Sequence, residues 1–295
     1  MNKVKSLIAC SILAANFASA SNQVIEKVAS PAEIIKKAPT TDWRKLDPEN
    51  TLYLELEEGT VVIELNPELA PGHVKNIKQL AREGFYKDLN VYRFVEGFVA
   101  QGGDAKETKK PKVGKSAIKA EFYKSTQSAQ VITLVDDKDG YASRTGFLNG
   151  FAVAQNDDAT KTWQTHCPGT FAMARGNSAD SGGTEFYVAL GAIRYLDHNI
   201  TSFGRVITGM EHIQRLERQP KDDTDLAFKN YNVIKDVKVA ADYLKERPLV
   251  IDIMKTESES FKTLIKARKN RPEDWFLATP NYTDICAVSV PMRQG

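Results

Sequence analysis

The sequence is poor in the residues that most often hold metal ions. Its 295 residues include three cysteines and four histidines. No two cysteines form a CxxC pair, and the histidines do not recur at the spacing of metal ligands. The adjacent His166 and Cys167 are too few to predict a metal centre by themselves. We therefore expect no metal site.

The chain also lacks a strong excess of charge. It has 40 lysines and arginines against 38 aspartates and glutamates, a formal net charge of +2. Without residues 1–20, which contain Lys3 and Lys5 and no acid, the basic count falls from 40 to 38 and equals the acidic count. A balanced charge gives no electrostatic reason to expect nucleic acid or an anionic membrane as a partner.

Long apolar runs are missing everywhere except at the N-terminus. Residues 1–20 carry two lysines, then an apolar stretch, then the small residues Ala-Ser-Ala, the pattern of a cleavable signal peptide. We predict an exported protein, located in the periplasm, with no integral membrane segment after cleavage. Lipid attachment at Cys10 is the alternative, but it would leave an apolar region of only residues 6–9.

Removal of residues 1–20 leaves two cysteines, Cys167 and Cys286. In an oxidising compartment such a pair is first interpreted as a disulfide. A bond across a loop of more than about 100 residues would stabilise the fold by about 4–5 kcal/mol in the chain-entropy model. Two buried free thiols are the alternative.

The apolar pattern predicts many short strands and few helices. Apolar residues that alternate or run together predict strands, and those that recur every three or four residues predict helices. Many short strands with few helices favour a barrel or a sandwich. We predict strands within 51–67, 91–101, 170–174, 184–191, 201–207 and 232–244, and helices within 30–39, 71–86, 209–218 and 256–271.

One strand-like run, VYRFVEGFVAQGGD at residues 91–104, contains a permanent charge at Arg93. Arginine is rarely buried without a partner, so Arg93 is either neutralised or used. The run resembles the F-H-R-hydrophobic-x-x-G-F-x-x-Q-G-G-D signature of the cyclophilin-type peptidyl-prolyl isomerases. A second block, PGTFAMAR, SGGTEFYVAL and YLDHNITSFGRVITGMEHI within residues 168–213, resembles the later part of the same family. The resemblance covers about residues 51–243.

This resemblance implies a mainly β fold. We expect a closed eight-stranded barrel capped by two α-helices, which start near Pro71 and Gly209, plus a C-terminal helical extension. The implied activity is rotation about X-Pro bonds, which makes and breaks no bond. The reaction therefore needs no cofactor, metal or nucleophile.

The family's site residues transfer to matching positions of this sequence. By resemblance Arg93 is the catalytic arginine, because a guanidinium stays protonated and presents donors in a fixed fork. Gln101 would orient Arg93 and contact the substrate backbone. The resemblance implies a proline pocket of Phe98, Val99, Tyr187 and Leu196, and further substrate contacts at Ala174, Arg175, Glu185, Tyr195 and Ile200.

Several of these positions depart from the family pattern. Val99 replaces the usual Met and Tyr187 the usual Phe, so the pocket wall stays apolar with one added hydroxyl. Arg175 replaces an Asn whose backbone commonly binds substrate. Tyr195 stands where a Trp often binds cyclosporin, so we expect weak sensitivity to that drug.

Two further departures concern polar positions. Glu185 replaces a Gln and is expected to pair with Arg93 or Arg175. Ile200 replaces the pocket His when the segment aligns without a gap. His198 lies two residues earlier and would reach the pocket only if the loop shifts.

Two additions extend the minimal family domain. An insertion over residues 105–168 has the least regular pattern of the chain and is expected near the substrate groove. The segment after Tyr243 is apolar enough to pack on the body, and a Cys167–Cys286 bond would tie it to the barrel. We therefore divide the chain into a signal peptide (1–20), a polar N-terminal extension (21–50), the isomerase domain (51–243) and a C-terminal extension (244–295).

These features favour an isomerase that acts on proline-containing polypeptides, with exported or outer-membrane proteins as clients. A proline-peptide binding module or periplasmic holdase with little catalysis is the alternative, favoured by the changes at Val99, Glu185 and Ile200. A structural partner that uses the insertion and the C-terminal extension as an interface is a third hypothesis. The intact Arg93 and Gln101 favour the enzyme.

Overall fold

The architecture is mainly β. The computed structural model describes residues 29–218 and 231–294. The α-helices in these residues are α1 (Pro31–Lys37), α2 (Pro71–Arg82), α3 (Met210–Arg215) and α4 (Glu259–Lys269). The strands are β1 (Trp43–Lys45), β2 (Thr51–Leu56), β3 (Thr60–Leu65), β4 (Leu89–Val95), β5 (Val99–Gly103), β6 (Lys124–Ser125), β7 (Thr133–Asp136), β8 (Arg144–Leu148), β9 (Phe151–Gln155), β10 (Lys161–Gln164), β11 (Thr170–Met173), β12 (Phe186–Ala189), β13 (Ser202–Thr208), β14 (Val233–Val239), β15 (Ile251–Met254) and β16 (Met292–Gln294).

Eight strands close into a barrel in the order β11-β12-β5-β4-β14-β2-β3-β13. Pairing of β13 with β11 completes the circle, so no strand of this sheet is left with an open edge. Inward-facing apolar side chains of β2 and β3, among them Leu52, Leu54 and Ile63, are almost completely buried. The predicted eight-stranded closed barrel is confirmed.

Two helices pack on the barrel. Val74, Ile77 and Leu80 lie on one face of α2 and are buried in the same apolar cluster as the barrel interior. Their spacing of three residues is what places them on a single helical face. Helix α3 adds Ile213 to this cluster and is shorter than the pattern over 209–218 indicates.

The first turn of α2 receives its hydrogen-bond acceptor from the insertion. The residue before the helix, Ala70, has no side-chain acceptor. Instead the Glu121 carboxylate accepts the backbone N–H groups of Gly72 and His73, each at 2.9 Å, and the His73 Nδ1 at 2.7 Å. The insertion thereby satisfies donors that a helix start leaves unpaired.

The insertion is more regular than the sequence indicates. Its strands form a five-stranded antiparallel sheet in the order β6-β10-β9-β8-β7. These strands are two to five residues long, and the β8–β9 turn uses Asn149 and Gly150 at positive φ. Strands this short show too little alternation to stand out among turn-forming residues, so the sequence pattern over 105–168 did not reveal this sheet.

The N-terminal and C-terminal extensions meet in a third sheet. Strand β15 pairs with β1 on one side and with β16 on the other. Helix α1 packs on α4, and Ser30 caps α1 in a reciprocal capping box with Glu33. The C-terminal extension is therefore not only helical, which corrects the expectation from sequence.

A disulfide joins Cys167, just before β11, to Cys286 in the C-terminal extension, with the two Cα atoms 5.0 Å apart. Around it lies a second apolar core in which Phe147 of the insertion packs edge-on against Phe261 of α4. The end of the chain does not pack uniformly. Trp275 is 82% exposed and Leu277 fully exposed, so that part of the expected packing was wrong.

The signal peptide predicted over 1–20 lies outside the described residues. Within 29–218 and 231–294, no helix has the length and apolar character required to cross a membrane. In the same two ranges, no group of three or more His, Cys, Asp or Glu residues is arranged to hold a metal ion.

Candidate active site

Three neighbouring barrel strands bring the predicted catalytic residues together. Strand β5 lies between β4 and β12, and in this register Gln101 is opposite Arg93 on one side and Tyr187 on the other. A turn with Gly97 at φ +68° connects β4 to β5. Gln101 and Tyr187, which are distant in sequence, thus become lateral neighbours through antiparallel pairing.

The Arg93 guanidinium is held by a neutral group and not by a carboxylate. Its Nη1 donates to Gln101 Oε1 at 3.3 Å, and its Cζ lies 5.4 Å from the centre of the Phe98 ring. Among residues 29–218 and 231–294, no carboxylate is within salt-bridge distance of Arg93. A half-buried arginine without a counter-ion keeps donors available for a ligand.

An apolar pocket lies beside this arginine. Val99, Tyr187 and Ile193 are buried in one cluster, against which Phe98, Ala174, Leu196 and Ile200 pack. Tyr195 is exposed, and its ring is nearly parallel to that of Phe98, with centroids 6.4 Å apart. The structure therefore brings the predicted pocket residues into one place.

Glu185 binds neither of the two arginines expected from sequence. Its Oε2 accepts a hydrogen bond from the Tyr92 hydroxyl and another from Gln101 Nε2 at 3.2 Å. Arg175 instead donates to the backbone oxygens of Asn199 and Gly176. The Glu185 carboxylate is bound by Tyr92 and Gln101, and the loop carbonyls already occupy Arg175, so the predicted ion pairs were wrong.

The added hydroxyl of Tyr187 also has a partner. It lies 2.8 Å from His166 Nε2, while His166 Nδ1 is 3.0 Å from the Asp197 carboxylate. Because a carboxylate only accepts, Nδ1 carries the proton, and in the neutral imidazole Nε2 accepts from Tyr187. Burial and the nearby Asp197 raise the pKa of Tyr187. Arg194 donates to Asp197 at 2.6 Å and to Asp139 of the insertion at 2.9 Å.

The insertion reaches the site from the other side. Its residue Ala117 forms a bridge with Gly183, and Ser116 and Ala117 line a cleft of about 530 Å³ together with Gln101 and Glu185. The expected position of the insertion near the groove agrees with this geometry.

Comparisons with known proteins identify the domain that carries this site. A profile of the family described as "Cyclophilin type peptidyl-prolyl cis-trans isomerase/CLD" matches residues 51–239. This range includes the barrel, Arg93 and the apolar pocket.

The chain belongs to the cyclophilin-type peptidyl-prolyl cis-trans isomerases.

Individual proteins named as peptidyl-prolyl cis-trans isomerases agree with the profile. A probable peptidyl-prolyl cis-trans isomerase of Brucella suis biovar 1 (strain 1330) is 30% identical over 196 residues, which are 66% of this chain and 85% of the relative. Peptidyl-prolyl cis-trans isomerase B of Bacillus subtilis (strain 168) is 28% identical over 190 residues, 64% of this chain and 97% of that protein.

A solved cyclophilin structure resembles the chain over a longer range. The crystal structure of cyclophilin AquaCyp293 from Hirschia baltica has a TM-score of 0.64 and 27% identity, and covers 85% of this chain and 92% of that one. This coverage exceeds the stretch 51–239, so the likeness includes residues outside the cyclophilin profile.

In this cyclophilin, His198 does not replace the family's pocket histidine. Its ring contacts Trp163 of the insertion, with centroids 3.8 Å apart, and Tyr123 at 5.5 Å. Burial lowers the pKa of His198. Ile200 takes its place against the pocket cluster, so the pocket wall is apolar at this position.

Sequence reasoning missed two polar residues of the site. Tyr92 stands at the histidine position of the F-H-R signature, and this mismatch was a signal that a different hydrogen-bond partner would be found there. His166 has no such signal, because it lies at the end of the insertion and reaches Tyr187 only through the fold.

Proposed function

We propose that this cyclophilin accelerates X-Pro rotation by donating a hydrogen bond from Arg93 to the prolyl imide nitrogen. The observation that carries the proposal is the position of Arg93, held by Gln101 beside the apolar pocket with no carboxylate partner in the described residues. Its remaining donors are available to a bound peptide.

The chemistry requires little more than this arrangement. Amide resonance sets a rotation barrier of about 18–20 kcal/mol. As the bond twists, the imide nitrogen regains its lone pair and becomes a better acceptor. A fixed donor at that atom binds the twisted state more tightly than either planar state, and this difference lowers the barrier.

The remaining predicted residues take supporting roles in this proposal. Phe98, Val99, Tyr187 and Leu196 would enclose the proline ring, with Ile200 at the wall and Tyr195 at the rim. Gln101 would orient Arg93. The backbone next to Ala174 and Arg175 would bind the substrate main chain.

We also propose that the enzyme works on exported or outer-membrane proteins in the periplasm. The N-terminal pattern of a signal peptide supports export. The Cys167–Cys286 disulfide supports an oxidising compartment, where such bonds persist.

The test is NMR exchange between cis and trans forms of a short X-Pro peptide panel, with the wild type and Arg93→Ala. We expect acceleration by the wild type and a loss of roughly 100- to 1,000-fold in the variant, the size typical for removal of one such donor. Arg93→Lys is the matched control, since it keeps the charge and loses the planar fork.

Peptide binding without exchange, unchanged by Arg93→Ala, would contradict catalysis. It would favour the proline-peptide binding module or holdase.

A further inference from the structure

We propose that Glu185 is a positioning residue of the isomerase, which acts through Gln101 to keep the Gln101 amide oxygen directed at Arg93. The inference deepens the proposed function and rests on it. It assigns to Glu185 a role different from the substrate contact that the family resemblance implies.

The direction of each hydrogen bond follows from the chemistry of the groups. An ionised carboxylate only accepts, so Tyr92 must donate its hydroxyl proton to Glu185, and the amide nitrogen of Gln101 must be the atom that faces Glu185. The hydroxyl oxygen of Tyr92 then accepts from the same nitrogen, Gln101 Nε2. Both of these partners thus lie on the Nε2 side of the Gln101 amide.

This arrangement leaves only one orientation for the Gln101 amide. With Nε2 bound to Tyr92 and Glu185, Oε1 points to the other side, where Arg93 Nη1 donates to it at 3.3 Å. If the amide turned over, its NH₂ group would face the guanidinium, donor against donor, and its oxygen would face the carboxylate. The negative charge at Glu185 therefore selects the orientation that supports Arg93.

Tyr92 and Glu185 are both held in place by their surroundings. Tyr92 is 5% exposed, and burial together with Glu185 raises its pKa, so the hydroxyl remains a donor. The backbone oxygen of Glu185 accepts from Ala174 N at 2.8 Å. A Cβ at Gly103 would lie 2.9 Å from the Glu185 Cα, so glycine permits the close approach of these two strands.

A direct effect of Glu185 on Arg93 is less consistent with the geometry. The carboxylate makes no salt bridge with Arg93 among the described residues, and its oxygen Oε2 is occupied by Tyr92 and Gln101. A carboxylate that acts only by its charge would not need either contact. The connection between Glu185 and Arg93 runs through the Gln101 amide.

The test is a double-mutant cycle on isomerase activity with Glu185→Ala, Gln101→Ala and the double variant. We expect each single variant to lose about tenfold, the rate effect of roughly one hydrogen bond. If Glu185 acts through Gln101, Glu185→Ala adds no further loss in the Gln101→Ala background. Losses that multiply would overturn the proposal. Glu211→Ala, which removes an exposed carboxylate on α3, is the control and should leave the rate unchanged.

A second readout does not depend on activity. The side-chain NH₂ resonances of Gln101 in ¹H–¹⁵N spectra should be shifted and protected from solvent exchange in the wild type. Glu185→Ala should reduce this protection, because only the Tyr92 hydroxyl then remains as a partner of Nε2, whereas Arg93→Ala should retain it. Protection that is unchanged in Glu185→Ala would overturn the proposal even if the variant is less active.

The two readouts separate this inference from the proposed function. A wild type without isomerase activity would refute the role of Arg93 and with it the positioning role of Glu185. An active wild type with multiplicative losses would refute only the role of Glu185.

Discussion

The Tyr187 hydroxyl, at the wall of the apolar pocket, lies 2.8 Å from the buried His166 Nε2. Through His166 and Asp197 this contact connects the pocket to Arg194 and to Asp139 of the insertion. A side chain that is apolar on its pocket face is therefore fixed from behind by a polar network.

Removal of that hydroxyl should destabilise the fold without removing catalysis. Tyr187→Phe leaves His166 Nε2 with only the Ser202 hydroxyl, 3.2 Å away, at an expected cost of about 1–2 kcal/mol. Urea unfolding gives the change in free energy. Tyr86→Phe is the matched control, because the buried Tyr86 hydroxyl has no hydrogen-bond partner within the described ranges; we expect no loss there. Equal effects of the two variants would contradict the prediction.

Acid should weaken the network around Asp197. Burial alone would raise the pKa of Asp197, but hydrogen bonds from His166 and the charge of Arg194 hold it below its usual range. Its stabilising contribution is therefore complete above the unfolded pKa of about 3.9 and is lost as pH falls through the lower folded pKa.

Urea unfolding between pH 6 and pH 3 measures this dependence. We expect Asp197→Asn to lower the free energy of unfolding by roughly 3–5 kcal/mol near neutral pH, as for a broken buried pair. The free energy of unfolding of this variant should also fall less steeply with acid than that of the wild type. Parallel curves for wild type and variant would show that Asp197 does not contribute to the decline.

The insertion should stabilise the start of α2 through Glu121. Glu121→Ala removes the acceptor for the N–H groups of Gly72 and His73, which should cost about 1 kcal/mol. Hydrogen exchange at these two amides should accelerate, while exchange at the end of the helix changes less. Glu121→Gln retains an acceptor oxygen and should have a smaller effect; equal acceleration in both variants would argue against capping.

Reduction of the disulfide should lower stability substantially. The Cys167–Cys286 bond closes a loop with a sequence separation of 119 residues, for which loop entropy gives about 4–5 kcal/mol. The free energy of unfolding, measured in urea with and without reductant, should differ by up to this amount. The Cys167→Ala/Cys286→Ala variant should be insensitive to reductant, and a wild type equally insensitive would contradict the prediction.

The barrel was predictable because long motifs identify a fold better than local pattern does. The segment VYRFVEGFVAQGGD and the second block fall in family order, and α2 shows a clear helical period in Val74, Ile77 and Leu80. The insertion sheet was not predictable in this way, since strands of two to five residues are stabilised by their neighbours in space. The same holds for β1, whose three residues pair with β15.

In the candidate site, too, the residues of the motif could be predicted, and the contacts made between distant strands could not. Arg93, Gln101 and the apolar pocket follow from the motif and lie together in the structure. The partners of Glu185 did not follow, because a sequence shows that a carboxylate is present but not which strands become its neighbours. Tyr92 and His166 bind residues roughly 20 to 90 positions away in sequence, and such contacts depend on the register of the closed barrel.

The pairing of β1 with β15 also sets an order of events during synthesis. Residues 43–45 leave the ribosome early, but their partner strand, 251–254, follows only after the whole barrel has been made. The N-terminal extension therefore has no strand to pair with at first. The C-terminal extension later completes both this sheet and the disulfide. Because domains generally fold as units when the N-terminal part emerges first, we expect the barrel to close before β15 pairs with β1 and before Cys286 bonds to Cys167.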